Sequence, residues 1–218
     1  MSAQRPLVTV VTTTYHWPSV LRIAIESALA QSFRDFEYLI VGDGCTDETA
    51  ALVASFADPR IRWHNLAQNS GNQSVPNRAA VEMARGKYVA YLNHDDIWFP
   101  NHLELLVRAM EADDLDLLHS LCLEIAPAGH PYRAVLGLPY THPQGPQHGR
   151  LLQLMTSSIM HPVESALAVG NWRDWRTLHE LPTVEFMHRL RIPTQGERGF
   201  RRIVNGDPTM LNAVSGGC

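Results

Sequence analysis

Tyr88-Val89-Ala90-Tyr91-Leu92-Asn93-His94-Asp95-Asp96 carries an apolar run directly into a pair of carboxylates beside an imidazole. A short apolar run preceded by Gly86 and followed by polar residues reads as a buried strand. Adjacent acids at a strand end repel each other unless positive charge sits among them. A divalent cation bridging a diphosphate supplies that charge, and hard oxygen ligands suit Mg2+ or Mn2+. The other reading of the same residues is a solvated turn whose aspartate caps the following helix.

Working outward, Leu7-Val8-Thr9-Val10-Val11-Thr12-Thr13 and Phe36-Glu37-Tyr38-Leu39-Ile40-Val41 read as strands, and 61–65 as a third, short one. Helical patterns lie between them: from Ser19, a candidate cap, to about Gln31; from Thr46 or Asp47 to about Phe56; and over 75–85. Downstream, Pro100 is placed to open a helix to about Ala112, and 115–120 reads as a fifth strand. Strands alternating with helices imply βαβ units and a mostly parallel sheet. Such sheets bind ligands beyond the carboxyl ends of their strands. The loops there are 13–16, 42–47, 66–72 and 93–98. In the second of them Asp43 can accept hydrogen bonds from a nucleobase or ribose, or simply shape a turn.

Residues 126–149 interrupt the alternation with five prolines, four glycines and three histidines, and read as a long irregular loop. Beyond it, 150–157 and 162–169 read as short helices, 183–191 as a longer one and 201–205 as a short strand. The 218 residues suit one domain, with 1–120 as one half and 121–218 as the other. Net charge is −4, split as −6 over 1–120 (9 basic, 15 acidic) and +2 over 121–218 (9 basic, 7 acidic). That balance argues against a general nucleic-acid binder. No apolar run approaches the roughly 18 to 20 residues of a membrane span, and residues 1–6 do not read as a signal peptide. The scattered Cys45, Cys122 and Cys218 fit free thiols in a reducing compartment, so a cytoplasmic location is expected. The chain has no GxGxxG after its first strand, no GxxxxGK[ST] and no GxSxG, which disfavours a nicotinamide dehydrogenase, a P-loop NTPase and an α/β-hydrolase. His142 and His148 are candidate chelators or solvated loop residues; Trp172 and Trp175 are sugar-stacking or packing residues.

In order and spacing, these pieces resemble the inverting glycosyltransferases of family 2. Val8-Thr9-Val10-Val11-Thr12-Thr13-Thr14-Tyr15 resembles the family's VSVIxxTYN, and Ser27 to Glu37 its SILxQTxxxxE. Val41-Gly42-Asp43-Gly44-Cys45-Thr46-Asp47-Glu48-Thr49 resembles VDDGSTDxT, Asn69-Ser70-Gly71 the NxG loop, and Ala84 to Asp96 AxGxYIxFLDxDD. The resemblance implies the GT-A fold, a Rossmann-like α/β/α sandwich around a mostly parallel sheet. It also implies transfer of a sugar from a nucleotide-diphosphate donor, UDP foremost, to an acceptor hydroxyl with inversion, assisted by Mn2+ or Mg2+. By matching position, Thr13, Tyr15, Asp43, Asn69, Arg78 and His94 would hold the nucleotide. Asp95 would bind the metal, with Asp96 in support. The acceptor is unspecified, and assembly into a homo-oligomer stays open.

The sequence departs from the family at four places. Gly42 stands where a first acid is common, Asn93 begins the DxD-type motif, and the RN pair reads Asn77-Arg78. The family's catalytic carboxylate falls on Pro182-Thr183, so Glu185 and Glu180 are the nearest candidates for the base. Residues 183 and 185 of one helix point about 200° apart, so Glu185 serves only if the helix is shifted. The rival reading is a non-catalytic nucleotide-sugar binder that keeps the fold and has lost the base. A nucleotidyltransferase is disfavoured because Thr13-Thr14-Tyr15-His16 lacks a Gly-rich, basic loop.

Overall fold

The computed structural model describes residues 5–113, 115–125, 133–136, 155–191 and 211–215. In chain order the elements are β1 (Val8–Thr14), α1 (Pro18–Leu29), β2 (Phe36–Gly42), α2 (Thr49–Ser55), β3 (Ile61–Asn65), α3 (Ser74–Met83), β4 (Tyr88–Tyr91), β5 (Asp96–Ile97), α4 (His102–Asp113), β6 (Leu118–His119), β7 (Leu121–Ile125), β8 (Arg133–Leu136), β9 (Ile159–Pro162), α5 (Val163–Ala168), α6 (Pro182–Arg191) and β10 (Leu211–Ser215). Single 3-10 turns occupy Thr156–Ser158 and Trp175–Thr177.

The main sheet runs β3-β2-β1-β4-β9-β6. Its β3–β2, β2–β1 and β1–β4 pairings are parallel, and β9 pairs antiparallel with both β4 and β6. Side chains alternate between two cores with the strand period of two. Val10, Tyr38, Ile40 and Ala90 face a cluster with α1, α2 and α4. Val11, Leu39, Val41, Val89 and Tyr91 face a second cluster with α3, α5 and α6. This is the expected α/β/α sandwich with a mostly parallel sheet. A smaller sheet, β5-β10-β7-β8, stands beside it.

Several boundaries differ from the sequence reading. α1 begins at Pro18 rather than from a Ser19 cap, because proline's fixed φ suits the first helical position, and Trp17 makes no side-chain capping bond. Gln31 lies beyond α1: its amide donates to Ser27 O and Phe99 O and accepts from Leu103 N, tying α1 to the start of α4. α4 starts at His102, since the Pro100 carbonyl is used instead to accept from Ser32 N. The strand expected over 115–120 shortens to β6 and runs antiparallel to β9, which the sequence reading missed. Within 126–149, residues 133–136 are a strand; His142, His148 and 201–205 lie outside the described residues. No described helix is long and apolar enough to cross a membrane.

Candidate functional site

The carboxyl ends of β1, β2 and β4 open into one cleft of about 520 Å3. Thr13, Thr14 and Tyr15 line it from β1, Asp43 from β2, and Asn93, His94 and Asp95 from β4. The facing wall is Asn69, Gly71, Asn72, Gln73 and Pro76, from the loop leading into α3 and that helix's first turn. Six of the residues singled out from sequence are thereby brought together: Thr13, Tyr15, Asp43, Asn69, His94 and Asp95. Tyr15 is exposed and stacks on the His16 ring at 4.2 Å. His16 and Trp17 both have left-handed backbone, with φ of 57° and 65°, and turn the chain sharply from β1 into α1. Non-glycine residues pay about 1 to 3 kcal/mol each for such conformations, which gather at functional sites.

Asp43 is buried, and both carboxylate oxygens are engaged. They accept from the Ser70 amide at 3.0 Å, Ser70 Oγ at 3.0 Å and Asn69 Nδ2 at 3.1 Å. Asp43 therefore holds the 69–71 loop against β2. Gly44 permits that approach: its φ is +75°, and a Cβ there would lie 2.4 Å from the Asn69 amide nitrogen. Gly42 has a packing cause as well. A Cβ on it would meet Asn65 Oδ1 at 2.4 Å and the Trp63 ring at 2.6 Å. Asn65 fills that space and clamps the loop, accepting from Cys45 N at 2.9 Å and donating to Cys45 O at 2.8 Å. Sequence reasoning passed Asn65 over; its only signal was its place at the carboxyl end of a strand. Burial pushes the Cys45 thiol up from its ordinary pKa.

At the other side, Thr14 Oγ1 donates to His16 O at 3.1 Å, so the His94 Nδ1–H, 3.1 Å from the same hydroxyl, donates to it. That fixes the tautomer and leaves a lone pair on His94 Nε2. Burial lowers the His94 pKa, against an opposing pull from Asp95. Asp95 lines the cleft and makes no hydrogen bond or ion pair among the described residues. Asp96 does not line the cleft: it is buried, and its carboxylate accepts from Asn93 Nδ2 and Ser157 Oγ. Its role is to brace Asn93. Among the described residues no cluster of three or more His, Cys, Asp or Glu is set to hold a metal.

Three other residues singled out from sequence, Arg78, Glu185 and Glu180, are not among those lining the cleft. Arg78 is about half exposed, pairs with Glu82 at 3.0 Å on α3, and does not line the cleft. Its place one residue along from buried Asn77 turns it outward. Glu185 is buried in a two-pronged pair with Arg189, 2.7 Å at each oxygen, and takes a further contact from Arg173 at 3.1 Å. Arg189 also donates to Val169 O and Asn171 O, so this acid belongs to the packing of α6. Glu180 is exposed and pairs with His188 at 3.4 Å, ahead of α6. Thr183 lies beside Gln73, a lining residue of the cleft, and its hydroxyl accepts from the Gln73 amide at 3.1 Å. Trp172 is core, stacked on Phe186 at 4.4 Å and donating to the Tyr91 hydroxyl. Trp175 sits at the cleft rim, its indole donating to Ser70 O at 3.0 Å beside Gly71.

Comparison with known proteins converges on one family. ExoO, a succinoglycan biosynthesis protein of Rhizobium meliloti, is 37% identical over 120 residues, covering 52% of this chain and 34% of ExoO. TuaG of Bacillus subtilis, a putative teichuronic acid biosynthesis glycosyltransferase, is 37% identical over 112 residues, 50% of this chain and 44% of TuaG. The chain thus spans between a third and a half of the length of these curated relatives. The mannosyltransferase PcManGT of Pyrobaculum calidifontis, in complex with GDP-Man and Mn2+, superposes with a TM-score of 0.70 at 13% identity, over 96% of this chain and 57% of that one. S. aureus TarS 1–349 in complex with UDP gives 0.67 at 16% identity, over 95% and 57%. At those identities the likeness is one of fold, and the fold is GT-A. The sequence profile of glycosyl transferase family 2 matches residues 9–205, nearly the whole described structure, and the chain belongs to that family.

Proposed function

We propose that this cleft binds a nucleotide-diphosphate sugar, UDP-linked foremost, and that the protein transfers the sugar to an acceptor hydroxyl with inversion. The observation that carries this reading is the convergence of Thr13, Asp43 and the 69–71 loop with His94 and Asp95 in one cleft at the strand ends. Parallel α/β sheets bind their ligands there. Thr13 and Tyr15 offer a hydroxyl and an aromatic face to a nucleoside, and the loop pinned by Asp43 offers backbone beside them. Relatives named for succinoglycan and teichuronic acid biosynthesis support a role in making polysaccharide. The free, buried Cys45 and Cys122 accord with a cytoplasmic setting.

Asp95 and His94 fit a divalent cation. One is a cleft carboxylate with no hydrogen bond or ion pair among the described residues, the other a neutral imidazole whose Nε2 lone pair is left over. Two protein donors leave the remaining positions to diphosphate oxygens and water, as Mg2+ and Mn2+ favour. Such an ion would neutralise the diphosphate as it departs. The acceptor oxygen bonds to the sugar's anomeric carbon as the carbon–oxygen bond to the diphosphate breaks; the bonding pair leaves with the phosphate, and the acceptor hydroxyl's proton passes to solvent or to the released diphosphate.

A thermal-shift panel of UDP, GDP, TDP, CDP and ADP, each with and without Mn2+, tests the reading. At about 100-fold the dissociation constant a ligand adds about 2.7 kcal/mol, a rise of roughly 5 to 10 °C here. A metal-dependent rise with one diphosphate supports the donor site; no rise with any of them overturns it. Turnover of the matching sugar nucleotide then separates the transferase from a binder.

A further inference from the structure

Three neutral polar side chains from three separate elements meet at Gln73, which lines the cleft. Gln73, ahead of α3, donates from Nε2 to Thr183 Oγ1 at 3.1 Å and to Thr156 Oγ1 at 3.5 Å. The two hydroxyls lie 3.2 Å apart and share a hydrogen bond. Thr156 is buried, and Thr183 is on the first turn of α6. With its amide nitrogen spoken for, Gln73 has its carbonyl Oε1 left over; Gln73 lines the cleft, and that oxygen has no hydrogen bond to a described residue. The cluster has a definite place along the cleft. Ser157, next to Thr156, accepts from the Asn93 amide at 2.8 Å, which ties the cluster to the Asn93 end of the cleft.

We infer that Gln73 is a specificity-determining residue that accepts a hydrogen bond from a hydroxyl of the donor's sugar, with Thr156 and Thr183 as the positioning residues that aim its carbonyl. The inference rests on the nucleotide-sugar reading above. A ligand group lying beyond the diphosphate is the sugar, and a fixed neutral acceptor selects a neutral sugar with a hydroxyl to donate. A carboxylate in that place meets a carbonyl oxygen and gains nothing, so uronic-acid donors are discriminated against. The hydroxyl pair behind Gln73 matters because it engages one end of the amide and leaves the other to the cleft.

The test is calorimetric titration with Mn2+ of UDP, UDP-glucose, UDP-glucuronate, GDP and GDP-mannose into the wild type, Gln73→Leu, Thr183→Val and Thr183→Ser. Thr183→Val keeps shape and removes the hydroxyl; Thr183→Ser keeps the hydroxyl. The expected result is that Gln73→Leu and Thr183→Val weaken the favoured neutral sugar nucleotide roughly 3- to 10-fold, the worth of one hydrogen bond, while its parent diphosphate is unmoved. Thr183→Ser should match the wild type, and UDP-glucuronate should bind no better than UDP. Equal weakening of sugar nucleotide and diphosphate, no weakening at all, or a preference for UDP-glucuronate overturns the assignment. Failure of every diphosphate to bind the wild type overturns the donor-site reading beneath it, a different and recognisable result.

Discussion

Aspartates 43 and 95 line one cleft with opposite commitments. Asp43 is saturated by the Asn69–Ser70 loop, whereas Asp95 has no protein partner among the described residues. Their substitutions should therefore separate. Asp95→Asn is expected to lower Mn2+-dependent diphosphate affinity on the order of 100-fold and to leave metal-free affinity unchanged, as titrations with and without the ion will show. Asp43→Asn sets an NH2 donor among the Asn69 and Ser70 donors in place of one acceptor oxygen and should weaken nucleotide binding with or without metal. Glu185 behaves as neither. Breaking its buried pair with Arg189 through Glu185→Gln should cost about 2 to 4 kcal/mol in urea unfolding. Turnover well below the melting temperature should be retained; lost turnover at unchanged stability would restore Glu185 as the base.

Among elements, the loop between β2 and α2 shows how one glycine governs two walls. Gly44→Ala forces a side chain into φ +75° and against the Asn69 backbone. We expect a loss of about 2 to 4 kcal/mol by urea unfolding, together with loss of nucleotide binding in the same preparation. The parallel strands were legible because β-branched and aromatic runs such as Val8 to Thr13 have no other comfortable home. So were the cleft residues that end those strands. β9 escaped because Ile159-Met160-His161-Pro162 is short, ends in proline and lacks alternation. Its histidine is accommodated by contacts invisible in the local pattern, Nε2 against the Tyr91 hydroxyl at 2.9 Å and Nδ1 against the Pro162 carbonyl at 2.8 Å. Glu185 misled for a related reason. Counting along α6 places it two residues from the family's acid, yet its partners Arg173 and Arg189 become visible only once 169–175 folds back onto the helix.

Over the whole molecule, buried imidazoles set the response to acid. Burial lowers His161 to about 4, opposed by the Pro162 carbonyl, and lowers His102 to about 3. Both lie below the free imidazole value near 6.5, so the unfolded chain binds more protons. Their stabilisation is complete above about pH 6.5 and drains away as pH falls toward 4 and 3. At pH 5 each accounts for about 2 kcal/mol of lost stability, and His161→Gln should remove its share of the difference between urea melts at pH 7 and pH 5. The antiparallel insertion of β9 also bears on how the protein can be divided. A fragment stopping at residue 120 would retain the residues that line the cleft, but Tyr88–Tyr91 would lose the neighbour that covers one side of its backbone. Such a fragment has a bare apolar margin that recruits further copies of itself. N-terminal halves are therefore not interchangeable cassettes here: swapping them between relatives requires carrying β9 and its preceding turn along with the graft.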